Sequence, residues 1–249
     1  MAGEIFSRYE IKYLIPYEMY EELAEKLKGK MTFDKYGDTD GKYTITSLYF
    51  DSPDKNIYFE TRNKKRFRQK LRLRIYNTAT LQDNAYFEVK KKYKKRVNKR
   101  RTSINLQDAY QYFYNQLDKP KVSNNQIFNE IESFQKLYNL RPDNIVSYDR
   151  QAFTGKEDED LRVTFDYNLR CRNDDLRIEN GPHGVHFVDP DLVILEVKVN
   201  FSVPLWLSRL LSELGCEKKS VSKFCTSVDL LEEIKEMTED EANNKAYVR

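Results

Sequence analysis

The sequence predicts an α+β fold in which β-strands with charged inner faces form a closed barrel or tunnel, covered on the outside by helices. Three observations lead to this prediction. Charged and aliphatic side chains alternate along several short segments, as they do when the two faces of a strand meet different surroundings. The charged faces mix acids with bases. Amphipathic helical segments also occur, and they could cover the apolar faces.

The strand pattern is clearest in residues 70–75, KLRLRI, where cations occupy one face and aliphatic side chains the other. Similar alternation occurs at residues 9–13, 87–90, 148–150, 161–166 and 193–199. Three of these segments share the repeat Glu-x-Lys, at Glu10/Lys12, Glu88/Lys90 and Glu196/Lys198. A solvated sheet face would be the ordinary explanation. Three mixed-charge repeats together favour faces that point inward.

The helices follow from capping residues and helical periodicity. Pro16 is expected to begin one that stops at Gly29, and Pro204 one that ends at Gly215, since proline suits the first turn of a helix. Ser52-Pro53 predicts a short helix through residue 58. Further helices are predicted over residues 107–117, 125–138 and 220–237, and residues 183–191 are expected to form a loop.

The composition predicts one domain over residues 1–249, with an acidic helical segment from about residue 228. No apolar run approaches the roughly 20 residues that a membrane span requires. The first residues lack the pattern of a secretory signal, so a cytoplasmic location is expected. Three cysteines without CxxC spacing predict neither a disulfide framework nor a zinc site.

Positive charge is concentrated between residues 62 and 101, which contain 17 lysines and arginines but two acids. A polyanionic partner is the natural interpretation, against the alternative of a solvated surface. Nucleic acid is one such partner, because aromatic residues interleave with the cations. Glutamates on the same faces as the cations argue against it, since they would repel a nucleic-acid backbone.

The chain resembles the VTC domain, the polyphosphate-polymerase member of the triphosphate tunnel metalloenzymes, a CYTH-like superfamily. The resemblance rests on these segments, which occur in order along nearly the whole chain: RYEIKYLI, SLYFDSP, KLRLRIY, YFEVKKK, SYDRQAF, LRVTFDYNLRCR, DPDLVILEVKVN and SKF. It implies an antiparallel eight-stranded tunnel, open at both ends, that binds the triphosphate of a nucleotide and threads a phosphate chain. It also implies a possible membrane partner encoded separately.

Triphosphatases and adenylyl-cyclase-like members of this superfamily typically begin with Glu-x-Glu-x-Lys. Here the first glutamate is replaced, because the segment reads Arg8-Tyr9-Glu10-Ile11-Lys12. The departure favours a polymerase over a hydrolase and leaves fewer carboxylates for a second metal. A single Mn²⁺ or Mg²⁺ is therefore expected.

The resemblance assigns phosphate contacts to the following residues: Lys12, Arg66, Arg72, Arg74, Lys90, Arg150, Lys198 and Lys223, with Tyr148 and Ser222 as hydrogen-bonding partners. Lys99 is a further candidate, although the lysine-rich run from residue 90 to 101 leaves its register open. Arginine suits this work because its planar fork binds two phosphate oxygens at once. The groups expected to be catalytic are Lys12, Arg72, Arg74 and Glu196.

Glu196 is the predicted metal ligand, since Mg²⁺ and Mn²⁺ prefer oxygen. Glu10 and Glu88 either bind metal or orient nearby cations. The implied reaction is attack by the terminal phosphate of a growing chain on the γ-phosphorus of ATP. That nucleophile is already an anion, so no catalytic histidine is needed. His183 and His186 have a spacing that could bind metal, but a turn beside two glycines and a proline is the plainer explanation.

Two alternatives to the polymerase remain open. The first is a non-catalytic sensor of polyphosphate or triphosphate, whose binding residues would be largely the same. The second is a tunnel triphosphatase. Replacing Glu196 should separate a catalyst from a sensor, because only the catalyst would lose turnover.

Overall fold

The computed structural model describes residues 5–94, 96–219 and 221–247, with side chains described for residues 9–94, 96–219 and 221–239. The strands are β1 (Ile5–Pro16), β2 (Met31–Phe33), β3 (Lys42–Asp51), β4 (Phe67–Tyr76), β5 (Asn84–Tyr93), β6 (Arg96–Asn105), β7 (Arg141–Gly155), β8 (Arg162–Arg172), β9 (Val185–His186) and β10 (Leu192–Val199). The α-helices are α1 (Tyr17–Leu27), α2 (Asn56–Arg62), α3 (Leu106–Phe113), α4 (Asn125–Tyr138), α5 (Leu205–Glu213) and α6 (Lys223–Tyr247). A short 3₁₀-helix covers Ile178–Asn180.

Eight of the strands pair side by side in the order β7-β3-β4-β5-β6-β1-β10-β8, and every pairing is antiparallel. Strand β8 also pairs with β7, which brings the series back to its first member. The strands therefore form a ring of backbone pairing, as the predicted eight-stranded tunnel requires. Two short strands extend the sheet, β2 beside β7 and β9 beside β8.

The register of the strands brings the alternating charged side chains together. Glu10 lies opposite Lys198, and Arg72 lies opposite Glu88. Side chains of the other parity, such as Leu73, are fully buried in the hydrophobic clusters outside the ring. The predicted division into a charged inner face and an apolar outer face is therefore present.

Helices cover the outer faces in two clusters. One cluster joins strands β3 to β7 to residues of α2, α3, α4 and the first turns of α6. The other joins β1, β8 and β10 to α1 and α5. Burial of apolar surface against these helices provides the main stabilisation of the ring. Among the described helices, none is long and apolar enough to cross a membrane.

Several predicted boundaries were wrong, for local reasons. Helix α2 ends at Arg62 rather than at residue 58, and its N-cap is Lys55, whose φ is 54°. Ser52, which was expected to cap this helix, lies before the N-cap, and its hydroxyl accepts a hydrogen bond from the backbone N–H of Asn56 at 2.9 Å. Helix α3 ends at Phe113, since Asn115 has a left-handed φ of 57°. The predicted loop over residues 183–191 contains the short strand β9.

Candidate functional site

The first charged cluster inside the ring surrounds Glu88, a fully buried carboxylate on β5. The Nε of Arg72 donates to Glu88 Oε2 at 2.8 Å, and Arg74 Nη1 lies 3.6 Å from the same oxygen. Lys99 forms an ion pair with the other oxygen, Oε1. Burial by itself would raise the pKa of Glu88, but Lys99, Arg74 and Arg72 hold that pKa well below its usual value. One carboxylate thus fixes three cations.

The second cluster surrounds Glu196, a buried residue of β10. Its carboxylate forms ion pairs with Lys12 at 2.7 Å, Lys198 at 3.0 Å and Lys223 at 3.2 Å. Burial would raise the pKa of Glu196, but these lysines and Arg150 hold the pKa well below the ordinary value. Strands β1 and β10 and helix α6 therefore meet at the Glu196 carboxylate.

A third cluster involves Asp166 on β8, which was not assigned a role from the sequence. Arg150 donates to both of its oxygens, from Nε at 2.5 Å and from Nη2 at 2.7 Å. Lys223 Nζ lies 2.5 Å from Asp166 Oδ2, so this lysine bridges Asp166 and Glu196. The alternation at residues 161–166 placed Asp166 on the charged face, but it did not indicate which cations Asp166 contacts.

A fourth, simpler pair lies beside these clusters. Lys90 Nζ is 2.7 Å from Glu10 Oε2 and 3.1 Å from Oε1. Burial opposes ionisation of Glu10, yet Lys90 and the other nearby lysines lower its pKa to about 2. Glu10 is therefore held as a carboxylate beside Lys90.

The segment that begins α6 also contacts the interior. Lys12 Nζ donates to the backbone oxygen of Val221 at 3.2 Å, and Lys70 Nζ donates to Ser222 Oγ at 3.1 Å. The Phe224 ring stacks on Tyr49 with a centroid separation of 5.1 Å. The SKF segment, residues 222–224, therefore places Ser222 and Lys223 next to the cations of the strands.

The predicted site residues mostly lie together, with one difference in placement. Tyr148 accepts a hydrogen bond from Arg74 Nη2 at 3.2 Å. In the register of β5 and β6, Lys99 lies directly opposite Lys90. Arg66 is exposed just before β4 and lies over the Tyr93 ring, at 5.4 Å. It shares the parity of Arg72 but sits beyond the end of the strand.

Besides Asp166, two further interior residues were missed from the sequence. The Tyr49 hydroxyl accepts from Arg72 Nη1 at 3.0 Å, and Lys70 contacts Ser222. Burial would raise the pKa of Tyr49, but Arg72, Arg74 and Lys70 lower it to about 8. The alternation at residues 70–75 contained the signal for Lys70. Tyr49 lies in the segment SLYFDSP, which has no alternation of charge to indicate an inner face.

The two histidines lie outside the charged clusters. Both are exposed, with His183 Nε2 at 3.5 Å from Asp175 and His186 Nε2 at 2.8 Å from the side-chain oxygen of Asn168. His183 lies in the loop before β9 and His186 lies on β9, so both belong to the exposed edge of the sheet.

The carboxylates of the inner face could supply only part of the coordination shell of a metal ion. Within the described residues, no group of three or more His, Cys, Asp or Glu side chains could hold a metal. Glu196 is close enough to Glu10 and Asp166 to affect the pKa of each. Mg²⁺ and Mn²⁺ commonly take one or two carboxylates and complete their coordination with phosphate oxygens and water. The donor set at Glu196 fits that arrangement.

Together, the inner faces can hold a row of anionic groups, because three cations surround each of the single carboxylates Glu88 and Glu196 and therefore leave an excess of positive charge. The sequence model of the VTC domain matches residues 7–232 of the chain. The chain belongs to the VTC domain family. Among curated protein sequences, none matches this VTC domain significantly.

Solved structures share the fold of this VTC domain. One is a candidate adenylate cyclase from Bacillus halodurans, with 11% identity, a TM-score of 0.55, and coverage of 88% of this chain and 96% of the other. Another is a candidate adenylyl cyclase from Hippeastrum with a dominant triphosphatase activity. It has 14% identity, a TM-score of 0.53, and coverage of 89% and 95%. At these identities the likeness establishes the tunnel fold alone.

The lysines of the VTC domain predict that polyanion binding takes up protons. Burial lowers the pKa of Lys99 to about 7, although Glu88 opposes this, and lowers that of Lys70 to about 8. A bound polyanion favours the charged ammonium and raises both values. We therefore expect these lysines to take up protons when tripolyphosphate binds at pH 8, and to take up few at pH 6, where they are already charged.

Calorimetry in two buffers of different ionisation enthalpy measures this uptake directly. Lys70→Arg is the matched variant, since arginine keeps its charge across this range and should reduce the uptake at pH 8. Equal proton linkage in the wild type and in Lys70→Arg at pH 8 would contradict the prediction.

Proposed function

We propose that this VTC domain is a polyphosphate polymerase, which transfers the γ-phosphoryl group of ATP to the end of a growing inorganic polyphosphate chain within the ring. The observation that carries the proposal is the row of inward-facing cations fixed by the buried carboxylates Glu88, Glu196 and Asp166. Phosphoryl transfer asks a protein mainly for positioning and for charge neutralisation.

The residues divide this work by their chemistry. Arg72 and Arg74 lie beside each other on the inner face of β4 and offer planar forks to phosphate oxygens. Lys12 and Lys223 add point charges from β1 and α6 around Glu196. These groups are held in place before substrate arrives, so little reorganisation accompanies the reaction.

The proposed step needs no general base. An anionic oxygen of the terminal phosphate forms a bond to the γ-phosphorus of ATP. The bond between that phosphorus and the β–γ bridging oxygen breaks, and ADP leaves with the electron pair. A divalent ion, Mn²⁺ or Mg²⁺, held by Glu196, with Glu10 and Glu88 as further candidate ligands, would supply additional neutralisation of phosphate charge.

A tunnel triphosphatase is the second candidate function. It is favoured by the Hippeastrum protein, which shares the fold and has a dominant triphosphatase activity. In that case water would replace the polyphosphate end as the nucleophile. A non-catalytic sensor of polyphosphate would use the same cations without turnover.

The test is incubation of the full chain with ATP and Mn²⁺, followed by measurement of ADP and of polyphosphate on a stained gel. We expect both products, with turnover lowered on the order of 100-fold in Glu196→Gln. Glu132→Gln is the matched control, because Glu132 lies on α4 and pairs with Lys136 at the surface. ADP with free phosphate but no polymer would indicate a triphosphatase. Polyphosphate binding without turnover would indicate a sensor.

A further inference from the structure

Three tyrosines form an aromatic group on neighbouring strands of the ring. Tyr43 on β3, Tyr76 on β4 and Tyr86 on β5 have the inward parity of Ser47, Arg74 and Glu88. The ring centroids of Tyr43 and Tyr76 are 6.0 Å apart, and those of Tyr76 and Tyr86 are 5.8 Å apart. We name these three residues the tyrosine arc. No role was assigned to them from the sequence.

Arginines accompany each ring of the tyrosine arc. The guanidinium carbon of Arg74 lies 6.0 Å from the Tyr76 centroid, and that of Arg101 lies 5.0 Å from the Tyr86 centroid. Arg162 Nη2 donates to the Tyr43 hydroxyl at 3.1 Å. The arc is thus continuous with the cations proposed to bind phosphate.

The arc also remains accessible. Tyr43 is buried, but Tyr76 and Tyr86 are only partly buried, in contrast to the fully buried aromatic residues of the outer clusters such as Phe87. Partly exposed aromatic rings flanked by arginines are surfaces on which nucleobases stack in proteins.

We propose that the tyrosine arc binds the base and ribose of the nucleotide donor, an inference that rests on the proposed function. Along β4, the side chains of Tyr76, Arg74 and Arg72 point to the same side at intervals of about 7 Å. A nucleoside against Tyr76 and Tyr86 therefore directs its phosphates towards Arg74 and then Arg72. In this orientation, the γ-phosphate of a nucleoside triphosphate enters the ring first and lies deepest among the cations, and the base remains beside Tyr76 and Tyr86.

The arc would make a nucleotide bind more tightly than the same number of phosphates alone. The test compares the β,γ-imido analogue of ATP with inorganic tripolyphosphate by calorimetry on the full chain. We expect Tyr76→Ala and Tyr86→Ala each to weaken binding of the nucleotide about tenfold, since base–aromatic stacking has effects of this size. Binding of tripolyphosphate should change less than twofold, which also reports that the variants are folded.

Two sets of variants sharpen the comparison. Tyr76→Phe and Tyr86→Phe keep the stacking surface and should retain nucleotide affinity. Tyr114→Ala removes a tyrosine that is 60% exposed at the end of α3 and should change neither ligand. Equal losses for both ligands, or no loss for the nucleotide in the alanine variants, would overturn the proposal.

The outcome separates this proposal from the proposed function. Selective loss of nucleotide binding in a chain that makes no polymer would support the arc and refute the polymerase. Polymer synthesis with unchanged nucleotide affinity in the alanine variants would support the polymerase and refute the arc.

Discussion

Replacing Arg74 with alanine is expected to lower the turnover of ATP on the order of 10² to 10³-fold, measured as ADP release at saturating ATP and Mn²⁺. Arg74 is 3% exposed. Its Nε donates to Ser47 Oγ at 3.0 Å, and its Nη2 donates to the Tyr148 hydroxyl at 3.2 Å. These contacts aim the guanidinium before substrate binds, so its loss should affect the transition state more than ground-state binding.

Two further variants define the cause of that loss. Arg74→Lys keeps the positive charge but loses the planar fork, so it should recover only part of the activity. Arg62→Ala is the matched control, because Arg62 is exposed on α2 and pairs with Asp229 at 2.9 Å. A turnover number within threefold of wild type in Arg74→Ala would exclude Arg74 from the reaction.

Replacing Glu88 with glutamine should lower the free energy of unfolding by about 3–5 kcal/mol, as expected when one partner of a buried ion pair is removed. Glu88 is completely buried, and the charges of Arg72, Arg74 and Lys99 would be left without their carboxylate. Denaturant unfolding of the variant and the wild type measures the difference.

The same variant should be stabilised by tripolyphosphate more strongly than the wild type, because the ligand replaces the missing negative charge. Glu130→Gln is the matched control. Glu130 also binds two cations, Lys91 and Arg100, each at 2.5 Å, but it does so from helix α4 on the outer side of the sheet. If tripolyphosphate raises the unfolding midpoint equally in the wild type and in Glu88→Gln, then a bound phosphate does not take the place of the Glu88 carboxylate among these cations.

The inner face could be predicted from the sequence because strand periodicity is local. In each Glu-x-Lys repeat, the two charged residues lie on the same face of the strand, and the repeat itself therefore indicates which face is charged. The amphipathic helices between the strands indicate which segments can cover the apolar faces. Asp166, by contrast, acquires its importance from Arg150 on β7 and Lys223 on α6. Partners so distant along the chain depend on which strands pair, and no local pattern contains that information.

Register and strand length explain the remaining differences. The lysine-rich run at residues 90–101 allowed several positions for Lys99, and only the pairing of β5 with β6 directs it to Glu88. Arg66 has the parity of the inner face, but β4 begins at Phe67, so Arg66 is exposed. Parity indicates which face a residue occupies, whereas its depth depends on where the strand starts.

The order of strands in the ring has a consequence for how the polypeptide matures on the ribosome. Strand β1 is the first to be synthesised, yet it pairs through residues 9–16 with β10 at residues 192–199. Residues 192–199 must therefore be synthesised before β1 gains that neighbour, and such distant pairing is intrinsically slow. Until then, Lys12 has no access to Glu196. The ion pairs around Glu196 in the lumen thus form late in the folding of the ring.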